Sequence, residues 1–391
     1  MQIVIYNPHI DDFFYKPLIY KFLNRRPLKK YGFFTKSKNL SVYIDNTESG
    51  IIPFSIFNRL PNFFRKFILK IEIHFWSKLN NDCQINILKN PTSNHVLIMM
   101  SYKLANNMTK ERVKNLNKFK YVVAHLSHYF INTKKKSLNL SKLNNLFLAG
   151  DSNILKNKYF KTFFSWYDKS FIVLPFAVSK RWEKRIPFKD RKKYLIASGT
   201  VHDLKNEKPK YLYEDFINIS GLNYYHPTRI EADEICKKFG YTSYVNQYRG
   251  NKSNWVSLIF NRLRISQKKY FSIDLTDQYN KHKFAIVGEE WSGFPALGAF
   301  EAIACGAVLI CDSDKYIDTG LVKDLHYIST NKNLTNTVEK IKLLPDSLLK
   351  KISNQGSNFV KTKFNSNSVM LTWLNNLQKI SKHIDEENFS H

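Results

Sequence analysis

Short apolar runs alternate with amphipathic stretches along the first 180 residues of the chain. The apolar runs predict strands at residues 2–6, 96–100, 121–124, 146–149 and 171–174. Segments of helical length, such as residues 109–116, separate several of these runs. All-apolar strands that alternate with helices are typical of a parallel sheet covered on both faces. The pattern therefore predicts a doubly wound α/β domain in this half of the chain.

A second set of alternating elements follows a proline-ended strand and a polar stretch. Its predicted strands are 194–197, 222–225, 284–287 and 307–311, and its predicted helices are 211–219, 229–238, 255–269 and 295–305. A last helical pattern covers residues 366–383. Because the strand that ends at Pro175 indicates a hinge, we predict two domains, 1–176 and 177–365, that face each other across a cleft. A C-terminal helix and tail would occupy residues 366–391.

The composition is that of a globular protein with a large basic excess. Hydrophobic residues make up 43% and charged residues 24% of the 391 residues, which excludes disorder as the main state. No apolar run approaches the ~20 residues of a spanning helix. Asp11 and Asp12 stand where a signal peptide would be apolar. The formal net charge is +29, and residues 1–180 hold 29 basic against 9 acidic side chains, which predicts an anionic partner for this half.

The segment from His282 to Asp314 is the richest candidate for chemistry. A predicted buried strand ends at Gly288, and the polar turn 289–293 follows, then a helix with Pro295 in its first turn. Ligands of parallel sheets bind in the crevice beyond the carboxyl ends of the strands. A helix N-terminus there is a favourable seat for phosphate. The segment therefore predicts a binding site for an anionic ligand.

This segment resembles the nucleotide-sugar-binding signature of GT-B glycosyltransferases, especially the family-4-type retaining enzymes. Their signature is E-G-F-G-x-x-x-x-E-A-x-A-C-G-x-P-V-I, and it is matched here by Gly293-Phe294 and residues 301–310. The resemblance implies a GT-B architecture of two Rossmann-like domains facing a cleft. It also implies that Glu301 binds the donor ribose and that Ser292, Gly293 and Phe294 contact the donor. An ordinary strand–helix–strand packing unit is the alternative.

The segment departs from the signature at its first glutamate. That position is Gly293 here, and a glycine cannot act as an acid. Our hypothesis is that Glu289 or Glu290 substitutes from the preceding turn, and we take Glu290 as the catalytic candidate. Retention of anomeric configuration is implied by the resemblance alone.

A strand-to-loop junction at residues 195–200 resembles the first donor-domain strand of these enzymes. A glycine such as Gly199 lets the backbone, continuing through Thr200, approach a diphosphate. Lys205 follows at the spacing of a phosphate-binding lysine in the related enzymes. The arginine that usually follows the glycine is missing, and His202 or Arg229 would supply its charge.

The dipeptide His226-Pro227 follows another predicted strand. It resembles the His-Pro pair of bacterial GT-B enzymes that use CMP-activated acidic sugars. That resemblance implies a contact between His226 and the nucleotide phosphate. A proline that ends a strand beside a solvated histidine is the alternative.

Two histidines follow a predicted strand in the N-terminal half. His125 and His128 stand just beyond residues 121–124. The resemblance implies a catalytic histidine in the cleft, where an imidazole hydrogen-bonds the transferred sugar and titrates near neutral pH. A structural histidine is the alternative for both. Asp151 follows the next strand, and we interpret it as a helix cap.

Residues 51–79 interleave phenylalanines and a tryptophan with basic side chains. A basic, aromatic amphipathic stretch binds the interface of an anionic membrane. The same pattern suits RNA, where aromatic rings stack on bases. A core-facing helix with basic outer residues is the third possibility. Because no nucleic-acid-binding module is present, the membrane is the preferred functional interpretation.

Together these features predict a cytoplasmic glycosyltransferase associated peripherally with the inner face of the cell membrane. Its substrates would be a nucleotide-sugar donor and a glycan or glycolipid acceptor, such as a surface polysaccharide or lipopolysaccharide. We expect no cofactor and no metal, since no DxD motif stands out. Four cysteines without a CxxC pair favour a reducing compartment. A GT-B-type sugar-nucleotide epimerase or hydrolase is the alternative, and a basic nucleic-acid-binding protein is a weaker one.

Overall fold

A computed structural model of the protein consists of two α/β units joined by a linker. It describes residues 2–8, 39–50, 52, 54–79, 84–100, 102–127, 129–205, 210–248, 273–312, 316–330 and 333–389. None of the helices within these ranges is long and apolar enough to cross a membrane.

Seven parallel strands form the N-terminal sheet in the described part of the chain. They are β1 (Gln2–Tyr6), β2 (Asn39–Tyr43), β3 (Gln84–Leu88), β4 (His95–Met99), β5 (Tyr121–His125), β6 (Leu146–Gly150) and β7 (Ile172–Val173). Their order in the sheet is β3-β2-β1-β4-β5-β6-β7. Strands β4, β5 and β6 are buried along their whole length, because helices and the second unit cover both faces.

Helices connect and cover these strands. They are α1 (Phe54–Phe57), α2 (Asn62–Leu79), α3 (Lys110–Leu116), α4 (Thr133–Leu140) and α5 (Lys158–Phe163), with a 3₁₀ turn at Tyr102–Asn106. The Thr109 and Asn157 side chains accept hydrogen bonds from backbone N–H groups in the first turns of α3 and α5. Such caps fix where the two helices begin.

The C-terminal sheet is also wholly parallel. Its strands are β8 (Lys193–His202), β9 (Thr242–Tyr248), β10 (His282–Ile286), β11 (Val308–Cys311) and β12 (Ile328–Ser329), in the order β12-β11-β10-β8-β9. Its helices are α6 (Glu214–Ser220), α7 (Pro227–Phe239), α8 (Leu275–Lys281), α9 (Leu297–Ala304), α10 (Leu334–Lys340) and α11 (Asp346–Lys363). Short 3₁₀ turns lie at Phe188–Asp190, Lys210–Leu212, Ile317–Thr319 and Ile341–Leu343.

The predicted α/β class, with two doubly wound parallel sheets, is confirmed. The buried strands β1, β4, β5, β6, β10 and β11 lie within a residue or two of their predicted positions. The strand predicted at 222–225 is wrong, since only Tyr224 forms an isolated bridge there, with Asp203. The edge strand is β9 instead, and its many polar residues do not form the apolar run from which the other strands are predicted. The helix predicted at 211–219 is split into a 3₁₀ turn and α6, and the one predicted at 255–269 lies outside the described residues.

A long C-terminal helix, α12 (Ser366–Phe389), crosses back onto the N-terminal unit. The Trp373 indole N–H donates to the Pro175 carbonyl at 2.8 Å, and the Asn376 amide donates to the Val173 carbonyl at 2.7 Å. Both acceptors lie at or just after β7, where the linker between the two sheets begins. The predicted domain boundary at residue 176 falls in this linker, and α12 fastens it.

Trp373→Ala should destabilise the protein by about 3–5 kcal/mol, the cost of removing a fully buried tryptophan. Trp373→Phe keeps most of the ring but loses the bond to Pro175, so its cost should be smaller. The free energy of unfolding in urea measures both effects. Leu371→Ala, on the exposed side of the same helix, is the control and should change stability little. A cost below about 1 kcal/mol for Trp373→Ala would show that α12 does not fasten the linker.

Candidate active site

Arg229 ties together the carboxyl ends of two neighbouring strands of the C-terminal sheet. Its buried guanidinium donates to the Thr200 carbonyl at 2.5 Å and to the Gly288 carbonyl at 3.1 Å. Thr200 belongs to β8, and Gly288 follows β10. The predicted donor residues Gly199, Thr200 and Arg229 therefore lie together at the edge where parallel sheets bind ligands.

Gly199 permits this arrangement. Its φ is +132°, which side chains disfavour, and a Cβ there would lie 2.6 Å from Arg229 Nε. Any larger residue would displace the guanidinium or bend the strand. The close approach of the Arg229 side chain explains why a glycine stands here.

Helix α7 begins at the same edge. His226 occupies its N-cap position, and Pro227 is its first residue. The His226 ring is buried, 6.2 Å from the ring of His202 at the end of β8. A helix N-terminus has unpaired N–H groups and a positive dipole end. The Arg229 guanidinium and this helix end make the edge electropositive, and such an edge is a favourable seat for phosphate.

Lys205 lies apart from this group. Its side chain is exposed, three residues beyond the end of β8. The backbone of the neighbouring Leu204 donates to the Asn223 carbonyl at 2.9 Å, which fixes this turn.

The two glutamates of the turn after β10 have different environments. Glu289 is buried, and its Oε1 accepts a hydrogen bond from the Asp312 backbone N–H at 2.6 Å, which joins the ends of β10 and β11. Glu290 is partly exposed, and its Oε2 accepts from the Tyr225 hydroxyl at 2.8 Å and the Ser292 hydroxyl at 3.3 Å. Glu289 is thus a structural bridge, and Glu290 is the more exposed of the two carboxylates.

The rest of this turn docks into the N-terminal unit. The Tyr129 hydroxyl donates to the Ser292 carbonyl at 2.7 Å. Phe294 is buried against β6, where a Cβ on Gly150 would lie 2.5 Å from its ring. The Ser152 hydroxyl contacts the Gly293 carbonyl at 3.4 Å. The residues predicted to touch a donor therefore hold the two units together, Ser292 and Gly293 through their carbonyl groups and Phe294 through its ring.

Glu301 lies in α9, beneath the linker. Burial raises its pKa to about 7, while the Arg181 guanidinium and a hydrogen bond to Trp182 lower it and offset part of the shift. Glu301 as a whole is 8% exposed, and the other residues of its helix are apolar. Burial therefore brings the pKa of this carboxyl group close to neutral pH.

The two histidine candidates are not comparable. His125 is fully buried. Its ring stacks on Trp373 at 6.3 Å, and its Nε2 lies 3.3 Å from the Leu174 carbonyl and 3.7 Å from Asp151 Oδ1. His125 thus contacts α12 and the linker, not an open cleft, which favours the structural alternative. His128 lies outside the described residues.

Sequence reasoning missed the residues that close the two units on each other. Tyr129 and Trp373 contact partners more than 160 positions away in the chain. Gly150 lies at a strand end without a local motif. The one usable signal was a glycine at the end of an all-apolar strand, which suggests that something approaches closely there. Among the described residues, no group of three or more His, Cys, Asp or Glu side chains could hold a metal.

These features define a two-domain protein of the GT-B fold. No protein-family model and no curated protein matches the chain. Among solved structures, Anabaena HepE in complex with UDP-glucose is similar over 98% of this chain and 100% of that one, with 10% identity and a TM-score of 0.50. A Rickettsia africae glycosyltransferase has 13% identity and a TM-score of 0.47 over 97% and 99% of the two chains. Sucrose-phosphate synthase from Thermosynechococcus elongatus has 10% identity and a TM-score of 0.46 over 98% and 100%.

Glu301→Gln should remove part of the pH dependence of stability. The folded pKa of Glu301, about 7, lies above its usual value of 4.5. At a pH between these two pKa values, the unfolded chain has released a proton that the folded protein keeps. The free energy of unfolding therefore falls as the pH rises through this range. The free energy of unfolding should be lower by about 3 kcal/mol above pH 7 than at acidic pH. The variant, always neutral at this position, should lack that loss.

Urea unfolding between pH 5 and pH 8 measures the effect. The exposed Glu339 in α10 provides the matched control, because Glu339→Gln should leave the pH profile of the wild type unchanged. Parallel profiles for Glu301→Gln and the wild type would contradict a raised pKa at Glu301.

Proposed function

We propose that the protein transfers a sugar from a nucleotide-activated donor to a glycan or glycolipid acceptor. The observation that carries the proposal is the electropositive edge formed by Arg229, His226, the N-terminus of α7 and the backbone at Gly199. Such an edge suits a diphosphate. The likeness in fold to HepE, whose structure holds UDP-glucose, supports a nucleotide sugar as the ligand.

The chemistry would break the bond between the anomeric carbon and the donor phosphate oxygen. An acceptor hydroxyl oxygen forms the new bond to that carbon and loses its proton. Negative charge grows on the departing diphosphate, and the Arg229 guanidinium and the α7 N–H groups are fixed where they would stabilise it. Glu290 is our candidate to receive the acceptor proton, since its partly exposed carboxylate is held by two hydroxyl donors.

Glu301 and His125 take different places in this proposal. We keep Glu301 as the ribose-binding candidate because it stands at the second glutamate of the GT-B signature. His125 is left out of the reacting groups, because Trp373 and the Leu174 carbonyl enclose it. Its contacts assign it to fixing the linker.

We also propose that α2 docks the enzyme onto an anionic membrane. Phe63, Phe64, Phe67 and Ile71 are 74%, 53%, 55% and 39% exposed, and Lys66 and Lys70 are exposed among them. The opposite side of the helix is held inward by Leu69 and Glu72, which are almost fully buried. Exposed phenylalanines argue against a core-facing helix. An apolar stripe flanked by lysines binds an anionic interface, which suits a lipid-linked acceptor.

Nucleotide sugars should raise the melting temperature of the protein, and Arg229→Gln should abolish most of that rise. Losing charge-assisted hydrogen bonds to the diphosphate costs about 1.5–3 kcal/mol, so donor affinity should fall roughly tenfold or more. A thermal-shift series with UDP-, GDP-, ADP- and CMP-sugars, followed by calorimetry on the best donor, gives both quantities.

Lys238→Gln is the control for this experiment, because Lys238 is exposed at the far end of the same helix. Arg229→Lys keeps the positive charge but not the shape of the guanidinium group, so it separates the effect of the charge from that of the hydrogen-bond geometry. If no nucleotide sugar stabilises the wild type, the proposed function is wrong. Donor turnover at full rate without any acceptor would favour the epimerase or hydrolase alternative.

Reversing the charge of Lys66 and Lys70 to Glu should weaken binding to phosphatidylglycerol vesicles by roughly 30-fold or more. Each basic residue near an anionic surface contributes ~1 kcal/mol, and two such contributions correspond to that factor. Replacing Phe63, Phe64 and Phe67 with Ser should weaken binding to the same vesicles by removing the apolar contact.

Sedimentation with phosphatidylglycerol and phosphatidylcholine vesicles measures the partition. Lys110 and Lys114 in α3 are also exposed, so their double reversal gives the same change in net charge at another place. Equal losses in the two double variants would show a general charge effect and no docking by α2.

A further inference from the structure

Helix α4 (Thr133–Leu140) begins without a cap from its own segment. Asn132 occupies the N-cap position with left-handed backbone angles (φ 53°, ψ 48°), and its side chain makes no capping hydrogen bond among the described residues. The first N–H groups of any helix lack partners inside the helix. By contrast, α3 in the same unit has a local cap, because the Thr109 hydroxyl accepts from the Arg112 N–H at 3.2 Å. The start of α4 takes its partners from elsewhere in the fold.

Those partners belong to the C-terminal unit. The Lys134 N–H, which is the second in the helix, donates to Asp215 Oδ2 at 2.9 Å. The Asn132 N–H donates to the Leu212 carbonyl at 2.6 Å. A side-chain oxygen that accepts from the second N–H is what an N-cap residue supplies, and the helix dipole also favours a carboxylate there. Asp215 thus caps α4 from 81 positions further along the chain than Lys134.

Residues 210–220, which we call the strap, contain a 3₁₀ turn and α6. The chain on either side of the strap comes together again at the C-terminal sheet. Asp203 and Tyr224 form an antiparallel bridge, and the Leu204 N–H donates to the Asn223 carbonyl at 2.9 Å. The strap is therefore part of an excursion that starts at the end of β8 and returns just before α7.

Aromatic side chains hold the strap against the N-terminal unit. Phe216 is fully buried, and its ring lies 5.8 Å from that of Tyr159 and 6.2 Å from that of Phe130. Phe130 also stacks on Tyr213 at 6.2 Å. Apolar contacts of this kind have no direction, so they bring the strap beside α4 but pair none of its N–H groups. The Asp215 carboxylate is the side-chain group that does so.

The cap links the order of α4 to the contact between the two units. While the units are docked, Asp215 pairs with the Lys134 N–H. When they part, the carboxylate leaves with the C-terminal unit, and the Asn132 side chain is not placed to replace it. Because α4 has only eight residues and short helices are marginal without outside support, its first turn should then loosen. The strap also adjoins the donor edge, since His202 precedes the excursion and His226 follows it.

We propose that Asp215 is an interdomain helix cap, so that the first turn of α4 is held in order by the docking of the two units and loosens when they part. The inference goes beyond the proposed sugar transfer and does not depend on it. It rests on the start of α4, on the bond from Lys134 to Asp215 and on the contacts of the strap.

Hydrogen exchange of single backbone amides, measured by NMR on the full chain, tests the cap. In Asp215→Ala the Lys134 amide should exchange roughly fivefold faster than in the wild type, the factor that corresponds to the ~1 kcal/mol of a typical N-cap. Asp215→Asn keeps an acceptor oxygen without the charge, so its effect should be smaller. Glu214→Ala is the matched control, because Glu214 is an exposed acidic residue in the same first turn of α6. It removes the same charge from that helix and should leave the Lys134 amide unchanged.

A second variant tests whether docking delivers the cap. Phe294→Ala weakens the contact between the units at the turn after β10 and leaves Asp215 and Asn132 in place. The Lys134 amide should then exchange faster than in the wild type, and by a larger factor than the Arg112 amide. The Arg112 amide reports any general loss of stability, because Thr109 caps it within the N-terminal unit.

The proposal is overturned by an unchanged Lys134 amide in Asp215→Ala or by equal acceleration in Asp215→Ala and Glu214→Ala, since either result would show that Asp215 is not a cap. Equal acceleration of the Lys134 and Arg112 amides in Phe294→Ala would also overturn it, because docking would then have no particular effect on α4. None of these measurements needs a ligand. Thermal shifts with nucleotide sugars therefore remain a separate test of the proposed function.

Discussion

The structure depends on the insertion of one turn of the C-terminal unit into the N-terminal unit. The Phe294 ring fills the space that Gly150 leaves at the end of β6, and the Tyr129 hydroxyl holds the Ser292 carbonyl beside it. This turn also carries Glu290. The contact that joins the two units thus fixes the position of the carboxylate that we place at the reacting bond, and it brings the carboxyl edges of both sheets to the same side.

The turn keeps its shape because its polar groups are paired within a largely apolar contact. The Tyr225 hydroxyl lies between Glu290 and the Ser292 hydroxyl. Burial raises the pKa of Tyr225, and the nearby Glu290 carboxylate raises it further, so the phenol stays protonated as a hydrogen-bond donor. Glu289 pairs with the Asp312 backbone. A docked turn with paired polar groups holds its side chains in one arrangement, as a preorganised site requires.

The sequence was sufficient for the buried strands and for placing Gly199 and Thr200 at the carboxyl edge of the C-terminal sheet, but not for the contacts between the units. Strands β4, β5, β6 and β10 each contain a run of at least three consecutive apolar residues, so their sequence predicts them. Strands β2, β3 and β9 were missed because they lie toward a sheet margin, where polar residues are tolerated. Glycine at position 199 and the start of α7 follow local rules of backbone geometry. The packing of Trp373 on His125 and of Phe294 on Gly150 joins distant parts of the chain, and no local pattern encodes it.

The contact between the units continues beyond the docked turn as a cluster of aromatic rings. Phe130 stacks on Tyr225 at 3.4 Å, and Tyr159 packs on Phe216 at 5.8 Å, across the same boundary as Phe294. Exposing a buried aromatic side chain costs roughly 1.5–3 kcal/mol, so parting the units at this end would expose several such rings at once. Relative domain motion is the default only where an interface is small and polar. The flank at Gly199, His226 and Arg229 is lined by backbone and polar groups, with the His226 ring packed edge-on against Tyr225. Entry of the proposed nucleotide sugar from that flank would leave the stacking of Phe130 on Tyr225, and with it the position of Glu290, intact.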